Sequence, residues 1–158
     1  MTASLWNPLV KDKQHSACRL KIQKGHNIVQ VGWRVDPTLY GDTQTRLYIH
    51  FQAGSQQCFN TLCPILLYFA SNVEWGGVVY TPPGVPEPLM GSSYLPLGKT
   101  GYDAYCRGLT IINDKGETID VDRVITHVDN PNLYQIMDVP HLKPGKYQHF
   151  VLYGGPGE

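Results

Sequence analysis

The chain has 158 residues, 42% of them hydrophobic and 16% charged, which suits one globular domain with a real core and excludes a disordered chain. Thirteen Lys and Arg balance thirteen Asp and Glu, and a net charge of zero removes the electrostatic footprint of nucleic-acid binding. No apolar run approaches the roughly 18 residues of a membrane span, and the start of the chain lacks the basic and apolar stretches of a secretory signal. No nucleic-acid or membrane partner is therefore expected, and the chain works inside the cell or has lost a targeting segment.

Five alanines against 16 glycines and 12 prolines leave little material for ordinary helices. Alternation carries the signal instead. Basic residues lean toward the start, with Lys11, Lys13, Arg19, Lys21 and Lys24 against Asp12. They read as solvated faces of early strands, the first at Arg19–Lys24. In Ile28–Val35, Val29, Val31, Trp33 and Val35 share one face, opposite Ile28, Gln30, Gly32 and Arg34. In Arg46–Gln52, Leu47, Ile49 and Phe51 oppose Arg46, Tyr48, His50 and Gln52. The apolar run Pro64–Ala70 is a buried strand at best. Further strands are predicted at Val73–Tyr80, Leu109–Asn113, Arg123–His127 and Gln148–Tyr153. Turn signals at Asp36-Pro37, Tyr40-Gly41-Asp42, Asn113-Asp114-Lys115-Gly116 and Lys143-Pro144-Gly145-Lys146 divide them. Thr81–Pro88 holds Pro82, Pro83, Pro86 and Pro88 and reads as an extended connector, or as a loop folded back over the preceding strand. Short strands at this spacing make an antiparallel β-sandwich or an open barrel, in a single domain over residues 1–158.

Familiar catalytic motifs are absent from the sequence. There is no GxSxG, P-loop or GxGxxG, and the six histidines never stand at HExxH or HxH spacing, so neither a metal nor a cofactor is expected. Cys58 and Cys63 are C-x4-C without a second pair to complete a zinc ribbon, which leaves a short-loop disulfide or two free thiols. Cys18 and Cys106 are expected as free thiols. An internal echo is more informative. Val29-Gln30-Val31-Gly32-Trp33 and Val73-Glu74-Trp75-Gly76-Gly77 each set a carboxamide or carboxylate two residues before a glycine, on the same strand face. Side by side, two such strands would give a glycine-floored groove with an amide facing an acid. The plainer reading is that Gln30 and Glu74 are ordinary solvent-facing residues.

These residues give the sequence a recognisable likeness. It resembles the neprosin family of plant glutamic peptidases, whose catalytic domain is a β-sandwich. The likeness rests on Val31-Gly32-Trp33-Arg34-Val35-Asp36-Pro37-Thr38-Leu39-Tyr40-Gly41-Asp42 and Thr45-Arg46-Leu47-Tyr48. It continues through Cys58-Phe59-Asn60-Thr61-Leu62-Cys63-Pro64, Val73-Glu74-Trp75-Gly76-Gly77, Met90-Gly91-Ser92 and Tyr153-Gly154-Gly155-Pro156-Gly157. It is collinear from about residue 4 to 157. It implies peptide hydrolysis after proline, at acidic pH, by two glutamates, one ionised and one able to donate a proton. It also implies a Cys58–Cys63 disulfide, a secreted location, and a substrate groove involving Gly32, Trp33, Tyr48, Trp75 and Gly76.

The chain departs from that pattern. Gln30 stands where the resemblance implies the earlier glutamate, Glu74 aligns with the second, and Val78 replaces a further acid. Several tens of residues are missing near 64–69, so the sandwich is reduced. Leu133 stands where the resemblance implies that a second disulfide would begin, and control through a pro-region is not expected from these residues. A Gln30–Glu74 dyad would use Glu74 as general base and Gln30 to orient water and stabilise the oxyanion. Three functions stay open: a Gln–Glu acid peptidase, a non-catalytic module binding a proline-rich peptide or a glycan, and a structural or self-assembling protein. Trp33 and Trp75 could serve a binding module as platforms, although their parity assigns them to the core.

Overall fold

The computed structural model describes residues 1–60, 70–140 and 149–158. Cys63, the run 64–69 and the turn at 143–146 lie outside the described residues. The larger sheet is built from β2 (His15–Lys24), β3 (Asn27–Val35), β4 (Arg46–Ala53), β5 (Gln56–Phe59) and β6 (Asn72–Tyr80). Its order is β5-β4-β3-β2-β6, antiparallel throughout, with β6 at one edge. The second sheet contains β1 (Thr2–Ala3), β7 (Met90–Gly91), β8 (Ala104–Arg107), β11 (Gln135–Val139) and β12 (Phe150–Gly155). Its path is β1-β8-β12-β11, and β7 also pairs with β12. A separate hairpin joins β9 (Thr110–Ile112) to β10 (Thr118–Asp120). The chain is an all-β sandwich.

Alternation along β2 and β3 sets the core. Cys18, Trp33 and Val35 point inward and meet Ala104, Cys106, Val151 and Tyr153 from the second sheet. Trp33 Nε1 donates to the Ser4 carbonyl at 2.7 Å, so the indole is buried without an orphaned donor. Cys18 and Cys106 are free thiols whose sulfurs stand 3.6 Å apart across the two sheets. Gly77 faces the same way, and a Cβ there would come within 2.5 Å of Met90 Sδ and 2.7 Å of the Tyr153 ring. Farther along, the larger sheet outreaches the smaller one, and Leu47 is 68% exposed although it has the inward parity.

Asp36-Pro37 opens a short helix, α1 (Pro37–Tyr40), and not a simple turn. The Asp36 carboxylate accepts from the Thr38 and Leu39 amides, proline occupies the first turn, and Gly41 closes the helix at φ 76°. The predicted strand at Arg123–His127 is irregular chain instead. Val121, Val124 and Val128 pack on the core at spacings of three and four, while Ile125 is fully exposed, so the period of two that a strand needs is broken. The proline-rich segment is a tethered connector. Gln14 Nε2 donates to the Pro86 carbonyl at 2.6 Å, and the Tyr134 hydroxyl to Pro88 at 2.7 Å. It leaves β6 at Tyr80, roughly 20 Å along the strand from Glu74, and does not fold over Gln30.

Because Trp33 joins both sheets, Trp33→Ala should destabilise the domain by about 3–5 kcal/mol. Urea unfolding of the variant should show a lower midpoint at an unchanged slope.

Candidate functional site

β2 is paired along both of its edges. Its register sets Lys21 opposite Gln30 of β3 and, on the other side, opposite Glu74 of β6. Two residues along, Arg19 stands between Gly32 and Gly76 in the same way. His50 and Tyr48 of β4 extend these rows beyond Gln30 and Gly32. Directly opposed residues of antiparallel strands share a face, so all eight side-chain positions look out from the sandwich.

The echo residues Gln30 and Glu74 thus share one face of one sheet, but their strands are not neighbours. Two inter-strand spacings separate them, roughly 10 Å between Cα atoms. The expected glycine-floored groove is occupied by two cations from the intervening strand. Lys21 Nζ donates to both Glu74 oxygens, at 3.2 and 3.3 Å, and Asn72 Nδ2 donates to Oε1 at 2.6 Å. Arg19 Nη1 donates to Gln30 Oε1 at 2.6 Å. The Gln30 amide nitrogen in turn donates to His50 Nδ1 at 2.9 Å, which requires a neutral imidazole. Burial lowers the His50 pKa, and the nearby Arg34 and Arg19 charges act in the same direction.

Gln30, Tyr48 and His50 are buried although they belong to the outward face. They shield one another. His50 stacks on Phe59 with centroids 4.5 Å apart, and the Arg34 guanidinium lies 5.0 Å from the Tyr48 ring centroid. Gly32 is required by close approach, since a Cβ there would fall 1.9 Å from the Cys18 carbonyl oxygen. Gly76 leaves open space above the sheet at φ +142°. Beside it runs a cleft of about 740 Å³, with Arg19, Glu74, Gly76 and Val78 on one wall and Val124 and His127 on the other.

Of the residues singled out from the sequence, Gln30, Gly32, Tyr48, Glu74 and Gly76 come to this face. Trp33 does not, because it fills the core on the opposite side. Trp75 also has the inward parity, packs partly on the core and reaches the cleft only from the strand edge. Arg19, Lys21 and His50 were missed as site residues. Their parity was legible, but nothing in the sequence tells which strand lies between β3 and β6.

Fold and site together define an all-β sandwich domain with a cleft of mixed apolar and charged lining along one edge of its larger sheet. The Neprosin family model matches residues 12–69 and 65–156, and the chain belongs to the Neprosin family. It is a peptidase-like domain.

A second polar cluster lies at the other end of β2. Arg34 Nη2 donates to His15 Nδ1 at 3.0 Å and Arg34 Nε to Asp36 Oδ2 at 2.8 Å, while His15 stacks on Tyr80. Burial, helped by Arg34, lowers the His15 pKa from its ordinary 6.5 to about 4, with Asp36 opposing. Between those values the unfolded chain binds the proton and the folded one does not. Stability should therefore fall as pH drops from 6.5 toward about 4. Thermal melts across this window should show the decline, and His15→Asn, which keeps an acceptor but cannot titrate, should make it shallower. Parallel curves for the two proteins would rule out His15 as the source.

Proposed function

We propose that this peptidase-like domain binds extended peptides in the cleft beside β6 and does not hydrolyse them. The observation that carries this reading is the engagement of both dyad positions. A general base needs a lone pair aimed at water, yet both Glu74 oxygens accept from Lys21 and one also from Asn72. An amide that orients water needs a free end, and Gln30 is held at its oxygen by Arg19 and at its nitrogen by His50. The two side chains are also drawn to different cations, Glu74 to Lys21 and Gln30 to Arg19, rather than to each other. The cleft itself supports binding, because β6 is an edge strand among the described residues and presents unpaired backbone groups to an added strand.

The second reading is a Gln–Glu acid peptidase cleaving after proline. It is favoured by the shared face of Gln30 and Glu74 and by a Glu74 side chain that is 45% exposed. One experiment separates the two. The pure protein is incubated with a proline-rich peptide between pH 3 and 7, and the products are weighed by mass spectrometry. The peptide should stay intact. Cleavage by the wild type that disappears in Glu74→Gln would overturn the binding reading in favour of the enzyme.

A further inference from the structure

Two cations, Arg19 and Lys21, stand on the outward face beside one carboxylate, Glu74, and that carboxylate is bonded to Lys21. The neighbouring Arg34 is matched by Asp36. Arg19, by contrast, donates to a neutral partner, the Gln30 oxygen, and among the described residues no carboxylate is bonded to it, Glu74 acting only through space. Its position is equally distinctive. Glycines flank it on both adjacent strands, so its guanidinium stands without side-chain neighbours in its own row across β3, β2 and β6. On the Gly76 side this row opens into the cleft, where Arg19 lines the wall. A guanidinium has five N–H donors in a planar fork, and the Gln30 Oε1 bond engages one of them, at Nη1.

We propose that Arg19 anchors a carboxylate-binding site on the wall of this cleft, where it takes the carboxylate of a bound peptide, either its C-terminus or an acidic side chain. The inference rests on the peptide-binding reading of the cleft and adds the chemical class of the anchoring group. The carboxylate docks against the free edge of the guanidinium fork, and the strand leading to it runs along β6. Gln30 has a defined part in this. As an amide it orients Arg19 through one hydrogen bond without neutralising it, whereas a glutamate there would hold the guanidinium in an ion pair and compete with any ligand.

Three labelled forms of one eight-residue peptide free of Asp and Glu test the site by fluorescence anisotropy: the free acid, the C-terminal amide, and the amide with one internal Glu. The free acid or the Glu-bearing amide, whichever source of carboxylate the site takes, should bind about 10-fold or more tighter than the plain amide. That advantage should vanish in Arg19→Gln and in Gln30→Glu, with both variants checked for an unchanged circular dichroism spectrum and cooperative melting. In parallel, sodium acetate is titrated against sodium chloride at matched ionic strength while the Arg19 Nε–H resonance is followed by NMR. Acetate should shift it and chloride should not. If the three peptides bind equally and acetate causes no shift, the carboxylate site is overturned and the peptide cleft stands. If no peptide binds but acetate still shifts Arg19, the site stands and the peptide reading falls. If neither binds, or if the advantage survives in a folded Arg19→Gln, the proposal is wrong.

Discussion

The double pairing of β2 governs the rest of the molecule. Ten residues of one strand hold β3 on one edge and β6 on the other, and their alternation serves two layers at once. Ser16 and Cys18 point into the sandwich, where Cys18 meets the second sheet. Ala17, Arg19 and Lys21 point out and become the middle of the polar face. A slip of one residue would turn arginine and lysine toward Trp33 and Tyr153, at the cost of burying unpaired charge. The hydrophobic core thus fixes the register, and the register fixes which charges stand between Gln30 and Glu74.

That face is a closed set of mutual obligations more than an open catalytic groove. Gln30 links Arg19 to His50, His50 stacks on Phe59, and Arg34 lies over Tyr48 while bonded to Asp36. Removing one member leaves a buried donor or acceptor without a partner, a loss of about 1–3 kcal/mol that the remaining members cannot relieve. The carboxamide at position 30 fits this network because it offers an acceptor to a cation and a donor to a neutral imidazole. A carboxylate there would require His50 to carry its proton on Nδ1 and donate instead, and would hold Arg19 in an ion pair. The amide thus bridges Arg19 and a neutral His50 without cancelling the guanidinium charge.

Much of this was legible in the sequence, and the limits have a physical origin. Period-two alternation identifies β3, β4 and β6 and assigns Gln30, Gly32, Glu74 and Gly76 to one face, because each strand states its own parity. Pairing order is a different quantity. It depends on long-range contacts, and the matched polar-x-Gly echo invites a side-by-side arrangement that β2 interrupts. The strand expected at Arg123–His127 fails for a related reason. Its apolar content is real, but Val121, Val124 and Val128 reach the core at the wrong spacing for a ladder. β8 and β11 escaped notice because short strands with mixed polarity carry little periodicity.

The irregular course of that segment matters for the edge of the larger sheet. A nine-residue edge strand with free backbone groups is a standing invitation to self-association, and natural proteins usually block it with charge, proline or a covering loop. Here the chain from Val121 to Asp129 runs beside β6, anchored through its valines, with His127 bonded to Asp129 at 2.7 Å. Among the described residues it forms no backbone hydrogen bond to β6. It therefore shields the edge sterically and leaves its hydrogen-bonding groups unspent. On the peptide-binding reading, a wall that covers without pairing excludes a second broad sheet and admits a single extended strand. Such a strand would be gripped by backbone bonds along β6, and the Arg19 and Glu74 side chains beside the open space at Gly76 would set which sequence fits.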